Sequence, residues 1–166
     1  MKISDKIEDF KGQGKTFYSF EFFPPKSDYA LDNLYSRIDR MASLQPAYID
    51  ITWGAGGSTA KRTLEMSKTI QKYFGLEVMM HLTCTNMPVS SINKVLINAK
   101  ENGLSNILAL RGDPPDGAVE WKNNEKGFNY GIDLVRLSYI ANKVNTVIKT
   151  LLIIFPFYSS IRWISS

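Results

Sequence analysis

Two hydrophobic rhythms alternate along this chain. Short apolar or alternating runs, ended by proline or glycine, are followed by longer stretches whose apolar residues recur every three or four positions. The first rhythm fits strands and the second helices. The first predicted strand is Phe17-Tyr18-Ser19-Phe20-Glu21-Phe22-Phe23-Pro24-Pro25, which the prolines end because they lack a ladder N–H. A helix follows over Asp28–Leu44, with Leu31, Leu34, Ile38 and Met41 on one face, and Pro46 stops it. The second strand is Ala47–Trp53. A glycine-rich loop then leads into a helix over Thr59–Phe74 with Thr63, Ser67, Ile70 and Phe74 on one side, and Gly75 is its expected cap. The third strand is Leu76–Cys84. The next helix, Val89–Asn102, carries Ile92, Val95, Leu96 and Ala99, and Gly103 closes it. The fourth strand is Asn106–Arg111. A polar loop spans Asp116–Asn129, and a helix over Tyr130–Val144 presents Ile132, Val135, Tyr139 and Ile140. A fifth strand is predicted within Val147–Phe155. Residues 1–15 read as a polar lead-in.

Strand followed by helix, repeated with a period of about thirty residues, implies parallel strands joined by crossovers. A doubly wound sheet and a (β/α) barrel both fit that pattern. Strand parity favours the barrel. Ser19 and Glu21, Asp50 and Thr52, His81 and Thr83, and Ala109 and Arg111 are read as one face. Phe20 and Phe22, Ile49 and Ile51, Met80 and Leu82, and Leu108 and Leu110 are read as the other. One face is greasy enough to meet helices, and the other turns polar toward the C-terminal strand ends, where barrels build active sites. A whole barrel takes about 250 residues. The fold expected here is therefore α/β of the (β/α)8 TIM-barrel type, limited to about the first four βα units and a fifth strand. The segments are a lead-in at 1–15, the partial barrel at 16–146 and a divergent hydrophobic tail at 147–166.

Composition narrows the function classes. The 166 residues are 44% hydrophobic and 22% charged, which suits one globular domain. The net charge of +4 comes from scattered lysines and arginines, so a solvated surface is a better reading than a nucleic-acid groove. The single cysteine, Cys84, makes no internal disulfide and suits a reducing, cytoplasmic setting. No secretory signal is visible in Met1–Lys15. Val144–Ser166 carries only Lys149 and Arg162 as charges, but its apolar run is shorter than the roughly 20 residues of a membrane span. A buried strand and an irregular tail are the reading for it.

The chemistry gathers at the strand ends: Glu21, Thr52, His81 with Thr83, and Arg111 with Asp113 just beyond. Glu21 reads equally as half of a structural ion pair or as a catalytic carboxylate. Two carboxylates sharing one mouth, Glu21 and Asp113, would keep one of them protonated. His81, the sole histidine, reads as a packed residue or, from its strand-end parity, as a ligand contact. His81 and Cys84 fall on opposite faces, which argues against a metal pair. Gly54-Ala55-Gly56-Gly57-Ser58-Thr59 completes neither a dinucleotide fingerprint nor a P-loop, and is explained equally by an anion site and by a tight turn.

Ser-Phe-Glu-Phe-Phe-Pro-Pro (19–25), Asp-Ile-Thr-Trp-Gly-Ala-Gly-Gly-Ser-Thr (50–59), His-Leu-Thr-Cys-Thr (81–85) and Leu-Arg-Gly-Asp-Pro-Pro (110–115) occur in this order. Together they resemble the catalytic domain of the methylenetetrahydrofolate reductase family, in its eukaryotic form, from about Thr16 to about Tyr139. The resemblance implies a (β/α)8 barrel with FAD, in which NAD(P)H is the hydride source and 5,10-methylenetetrahydrofolate becomes 5-methyltetrahydrofolate, within one-carbon and methionine metabolism. It implies Glu21 as the general acid, its acidity weakened by an aromatic setting, and Asp113 as the carboxylate near flavin and folate. It implies flavin contacts at Thr52, Trp53, Ala55, His81, Arg111, Gly112, Asp113, Tyr130 and Gly131. After Tyr139 the likeness stops, and the later strands of the family are not seen. An open parallel sheet exposes its edges, so pairing between two copies, or with a longer chain, is one expected way to close the barrel. Two classes therefore stand: a flavin-dependent reductase, and a non-catalytic piece that pairs with another chain.

Overall fold

A computed structural model describes residues 1–54, 59–85, 87–112, 127–144 and 149–150. Five parallel strands form one sheet in sequential order: β1 (Ser19–Phe22), β2 (Tyr48–Ile51), β3 (Val78–Thr83), β4 (Asn106–Leu110) and β5 (Lys149–Thr150). The helices are α1 (Ile3–Gly12), α2 (Asp28–Ala42), α3 (Ala60–Tyr73), α4 (Val89–Glu101) and α5 (Gly131–Val144). Sequential order with a helix at each crossover is the beginning of a (β/α) barrel, not a doubly wound sheet, whose strand order reverses.

One face of the sheet packs on α2–α5. Ile49, Ile51, Val78, Met80, Leu82, Ile107 and Ala109 are buried there with Ile38, Leu64, Ile70, Ile92, Leu96 and Leu134. The helix stripes read from the sequence supply this layer: Leu31, Leu34 and Met41 from α2, Phe74 from the end of α3, and Val95 from α4. Local signals set the helix limits. Ser27 caps α2 by accepting the Ala30 N–H at 3.2 Å. Gly75 ends α3 with φ 66°. On α5 Leu134 and Ser138 are buried and the predicted Val135 packs partly buried on the core, while Ile132, predicted on the same face, is exposed. The side chains of Tyr139 and Ile140 lie outside the described residues. So does most of the predicted fifth strand, of which Lys149–Thr150 is described.

Two expectations change. Residues 1–15 hold α1, a helix with its own apolar stripe: Ile3, Ile7 and Phe10 are spaced for one face. Ile3 is fully buried with Ala47, Tyr48 and Met79, and Ile7, Phe10, Phe17 and Leu108 pack around them. The Ile3 N–H donates to Asn106 Oδ1 at 2.9 Å, and Asn106 Nδ2 donates to the Met1 carbonyl at 3.1 Å. α1 thus covers the lower end of the sheet face opposite the helix layer. The β4 parity is also reversed. His81 is in register with Leu108 and Thr83 with Leu110, so Leu108 and Leu110, not Ala109, share the face of His81. The strand ends at Leu110, and reading it back from the polar Arg111 placed every side chain on the wrong side.

No helix among the described residues is long and apolar enough to cross a membrane.

Candidate active site

Strand alternation sets the inner face. Glu21 on β1 is in register with Asp50 on β2, and Asp50 with Met79 on β3. His81, two residues further along β3, lies diagonally above Asp50, and its Nε2 is 3.3 Å from Asp50 Oδ1. Both side chains are buried. Tyr48 sits below Asp50 on the same strand face. Burial pushes its hydroxyl pKa up, the Asp50 charge adds to that, and a hydrogen bond with Ser19 opposes it. Glu21 itself is exposed. Its aromatic neighbours do not enclose it as expected, because Phe20 and Phe22 point to the other face of the strand.

Beyond β2 the backbone is tied down at each step. The Thr52 N–H donates to the Phe22 carbonyl at 3.0 Å, and the Thr52 carbonyl accepts the Thr63 hydroxyl at 3.0 Å. The Gly54 N–H donates to Thr59 Oγ1 at 2.7 Å. These bonds anchor the strand end to the start of α3 and leave the Thr52 side chain half-buried. Trp53 is not with Thr52. One residue further along, it is buried in the helix-side core, and its Nε1 has no partner among the described residues. Ala55 and the glycines after it lie outside the described residues, so the anion-site reading of that loop falls outside them too.

The end of β4 is held by β3. The Cys84 N–H donates to the Leu110 carbonyl at 2.9 Å, and the Thr85 hydroxyl donates to the Arg111 carbonyl. Gly112 has φ 82°, and a Cβ there would stand 2.9 Å from Thr83 Cγ2. Only glycine gives both the backbone angle and the approach. Gly131 opens α5 in a tight but less extreme approach, where a Cβ would lie 3.2 Å from the Ala109 carbonyl oxygen. Arg111 and Tyr130 are exposed, with the guanidinium 5.1 Å from the ring centroid. Asp113 lies outside the described residues.

The strand ends thus bring together Glu21, Asp50, Thr52, His81 and Thr83 on the inner face, and Arg111, Gly112, Tyr130 and Gly131 at the rim of β4 and α5. Thr83 joins the two groups, and its buried Oγ1 has no hydrogen-bond partner among the described residues. An unpartnered hydroxyl beside close backbone, with an imidazole on the same sheet face and a guanidinium at the rim, fits a polar ligand. Among the described residues no three His, Cys, Asp or Glu side chains cluster, and Cys84 is buried on the helix side, away from His81. The residue that sequence reading passed over as a site member is Asp50. Its place two residues before Thr52, on the same strand face, was the signal available.

Comparison with known proteins agrees with the motifs. The family profile described as Methylenetetrahydrofolate reductase matches residues 3–160, which takes in α1 and runs past Tyr139. "Methylenetetrahydrofolate reductase (NADH) 1" of Arabidopsis thaliana is 51% identical over 135 residues, covering 81% of this chain and 23% of the plant protein. "Methylenetetrahydrofolate reductase 2" of Saccharomyces cerevisiae is 50% identical over 147 residues, 86% of this chain and 24% of the yeast protein. "5,10-methylenetetrahydrofolate reductase" of Salmonella typhimurium is 37% identical over 125 residues, 75% of this chain and 40% of the bacterial protein. The chain therefore spans about a quarter of the plant and yeast relatives it matches.

Proposed function

The chain belongs to the methylenetetrahydrofolate reductase family, and on that footing we propose that its residues 16–146 form the flavin-holding part of the site that reduces 5,10-methylenetetrahydrofolate to 5-methyltetrahydrofolate with NAD(P)H. The observation that carries this reading is the meeting of Thr52, His81 and Thr83 with Arg111 and Gly112 at one end of a parallel sheet. The names of the plant relatives make NADH the donor to try first. The same reading gives a cytoplasmic enzyme that draws on one-carbon metabolism.

FAD, when bound, supplies the two-electron chemistry that links a nicotinamide to the folate. This chain's residues hold and orient it. Thr52 and Thr83 offer hydroxyls, His81 an imidazole nitrogen, and Arg111 a fixed positive charge. Gly112, without a side chain, lets backbone approach the ring system, and Tyr130 and Gly131 close the rim beside it. Trp53 acts from the helix-side core, by anchoring the end of β2 there. Asp113 and Ala55 complete the set by their place in the motifs. Glu21, exposed at the mouth, gives a proton to the folate ring nitrogen, so that the five-membered ring opens to an iminium that accepts hydride. Asp113 favours that cation by its charge.

The share of each relative covered favours a second reading, in which this segment holds flavin but turns over only alongside further barrel strands, from this protein or a paired chain. One experiment separates the two. Purified chain loaded with FAD is given NADH or NADPH, and then methylenetetrahydrofolate. Flavin bleaching followed by folate-dependent recovery, with the recovery slowed about 100-fold or more in Glu21→Gln, supports the reductase. Retained flavin that no nicotinamide bleaches supports the second reading. Failure to retain flavin contradicts both.

A further inference from the structure

Asp50 is a buried carboxylate on the polar face, in register with Glu21 and above Tyr48. A buried carboxylate needs a donor, because leaving it charged and bare costs several kcal/mol. Met79 offers no donor, and Glu21 on the neighbouring strand is another acid. Among the described residues the side chain that meets the Asp50 carboxylate is His81, with Nε2 at 3.3 Å. An ionised Asp50 can only accept, so the nitrogen facing it must carry the proton.

We infer that Asp50 is a positioning residue: it holds the His81 ring with its proton on Nε2, which leaves Nδ1 as a hydrogen-bond acceptor for an O–H or N–H donor of the ligand in the mouth. The ligand half of this statement rests on the function proposed above, while the Asp50–His81 half rests on geometry alone. A carboxylate behind an imidazole fixes which nitrogen is protonated and how the ring is turned. Without it the ring is free to present either nitrogen forward.

His81 is the only histidine in the chain, so imidazole resonances report on one residue. The test is long-range proton–nitrogen NMR of the 15N-labelled full chain. The inference expects Nε2 to carry a proton that exchanges slowly enough with water to be seen. An unprotonated Nε2 overturns it, and this arm needs no variant. Asp50→Ala should abolish the slowly exchanging proton and Asp50→Asn, whose amide oxygen still accepts, should restore it. An unchanged proton in Asp50→Ala also overturns the inference. FAD titration of the same proteins tests the ligand half: Kd should rise about tenfold in Asp50→Ala and recover in Asp50→Asn. If the NMR result holds but Kd does not move, the ligand half fails and the Asp50–His81 assignment stands.

Discussion

Gly112 and Thr83 come so close that a Cβ on the glycine would stand 2.9 Å from the threonine Cγ2. This contact locks the end of β4, just past Arg111, to the end of β3. The backbone there also has φ 82°, where a Cβ is strained. Gly112→Ala is expected to lower stability by about 1–3 kcal/mol, from strain and overpacking together. Urea unfolding measures it, and an unchanged midpoint would show that the contact does not hold the rim.

The helix α1 has a stability of its own to contribute. Ile3 is fully buried against Ala47, Tyr48 and Met79. Ile3→Ala should cost about 2–5 kcal/mol, as for other buried large-to-small changes. A loss within about 0.5 kcal/mol, the range of surface substitutions, would mean that α1 does not dock on the sheet in solution.

Cys84 gives a prediction with a sign. Burial pushes its thiol up from 9.0, and the Asp133 charge adds to this, while a backbone hydrogen bond and the Arg111 charge oppose it. The folded state therefore keeps the proton longer than the unfolded chain. The stability this gives is present in full below pH 9.0 and is lost as pH rises from there through the folded value. Urea midpoints taken from pH 8 to pH 10.5 should fall more steeply for the wild-type chain than for Cys84→Ala. Parallel curves would contradict the burial of the thiol. The same burial predicts slow alkylation by iodoacetamide at pH 8 until denaturant is added.

The order of elements was legible because each has a period and a stop: the stripe of Leu31, Leu34 and Met41, the caps at Ser27 and Gly75, and the prolines after Phe23. The inner-face partners Glu21, Asp50 and His81 followed from alternation on three strands. Alternation failed on β4 because it carries no phase by itself. Register against His81, a non-local property, decides that Leu108 and not Ala109 faces inward. The lead-in failed for a related reason. Ile3, Ile7 and Phe10 make a narrow stripe in a polar segment, and what turns it into a docked helix is a distant surface formed by Tyr48, Met79 and Leu108. Glu21 was legible as a strand-end carboxylate, but its exposure was not, since the aromatics beside it in sequence lie behind it in space.

The most direct test of the proposed site is a visible absorption spectrum of Met1–Ser166 after incubation with FAD and desalting, beside the same spectrum for His81→Ala and Arg111→Ala. Retained flavin absorbance in the wild-type chain, reduced in both variants, is the predicted result. A colourless wild-type protein that is folded by circular dichroism would contradict the claim that these strand ends hold the cofactor.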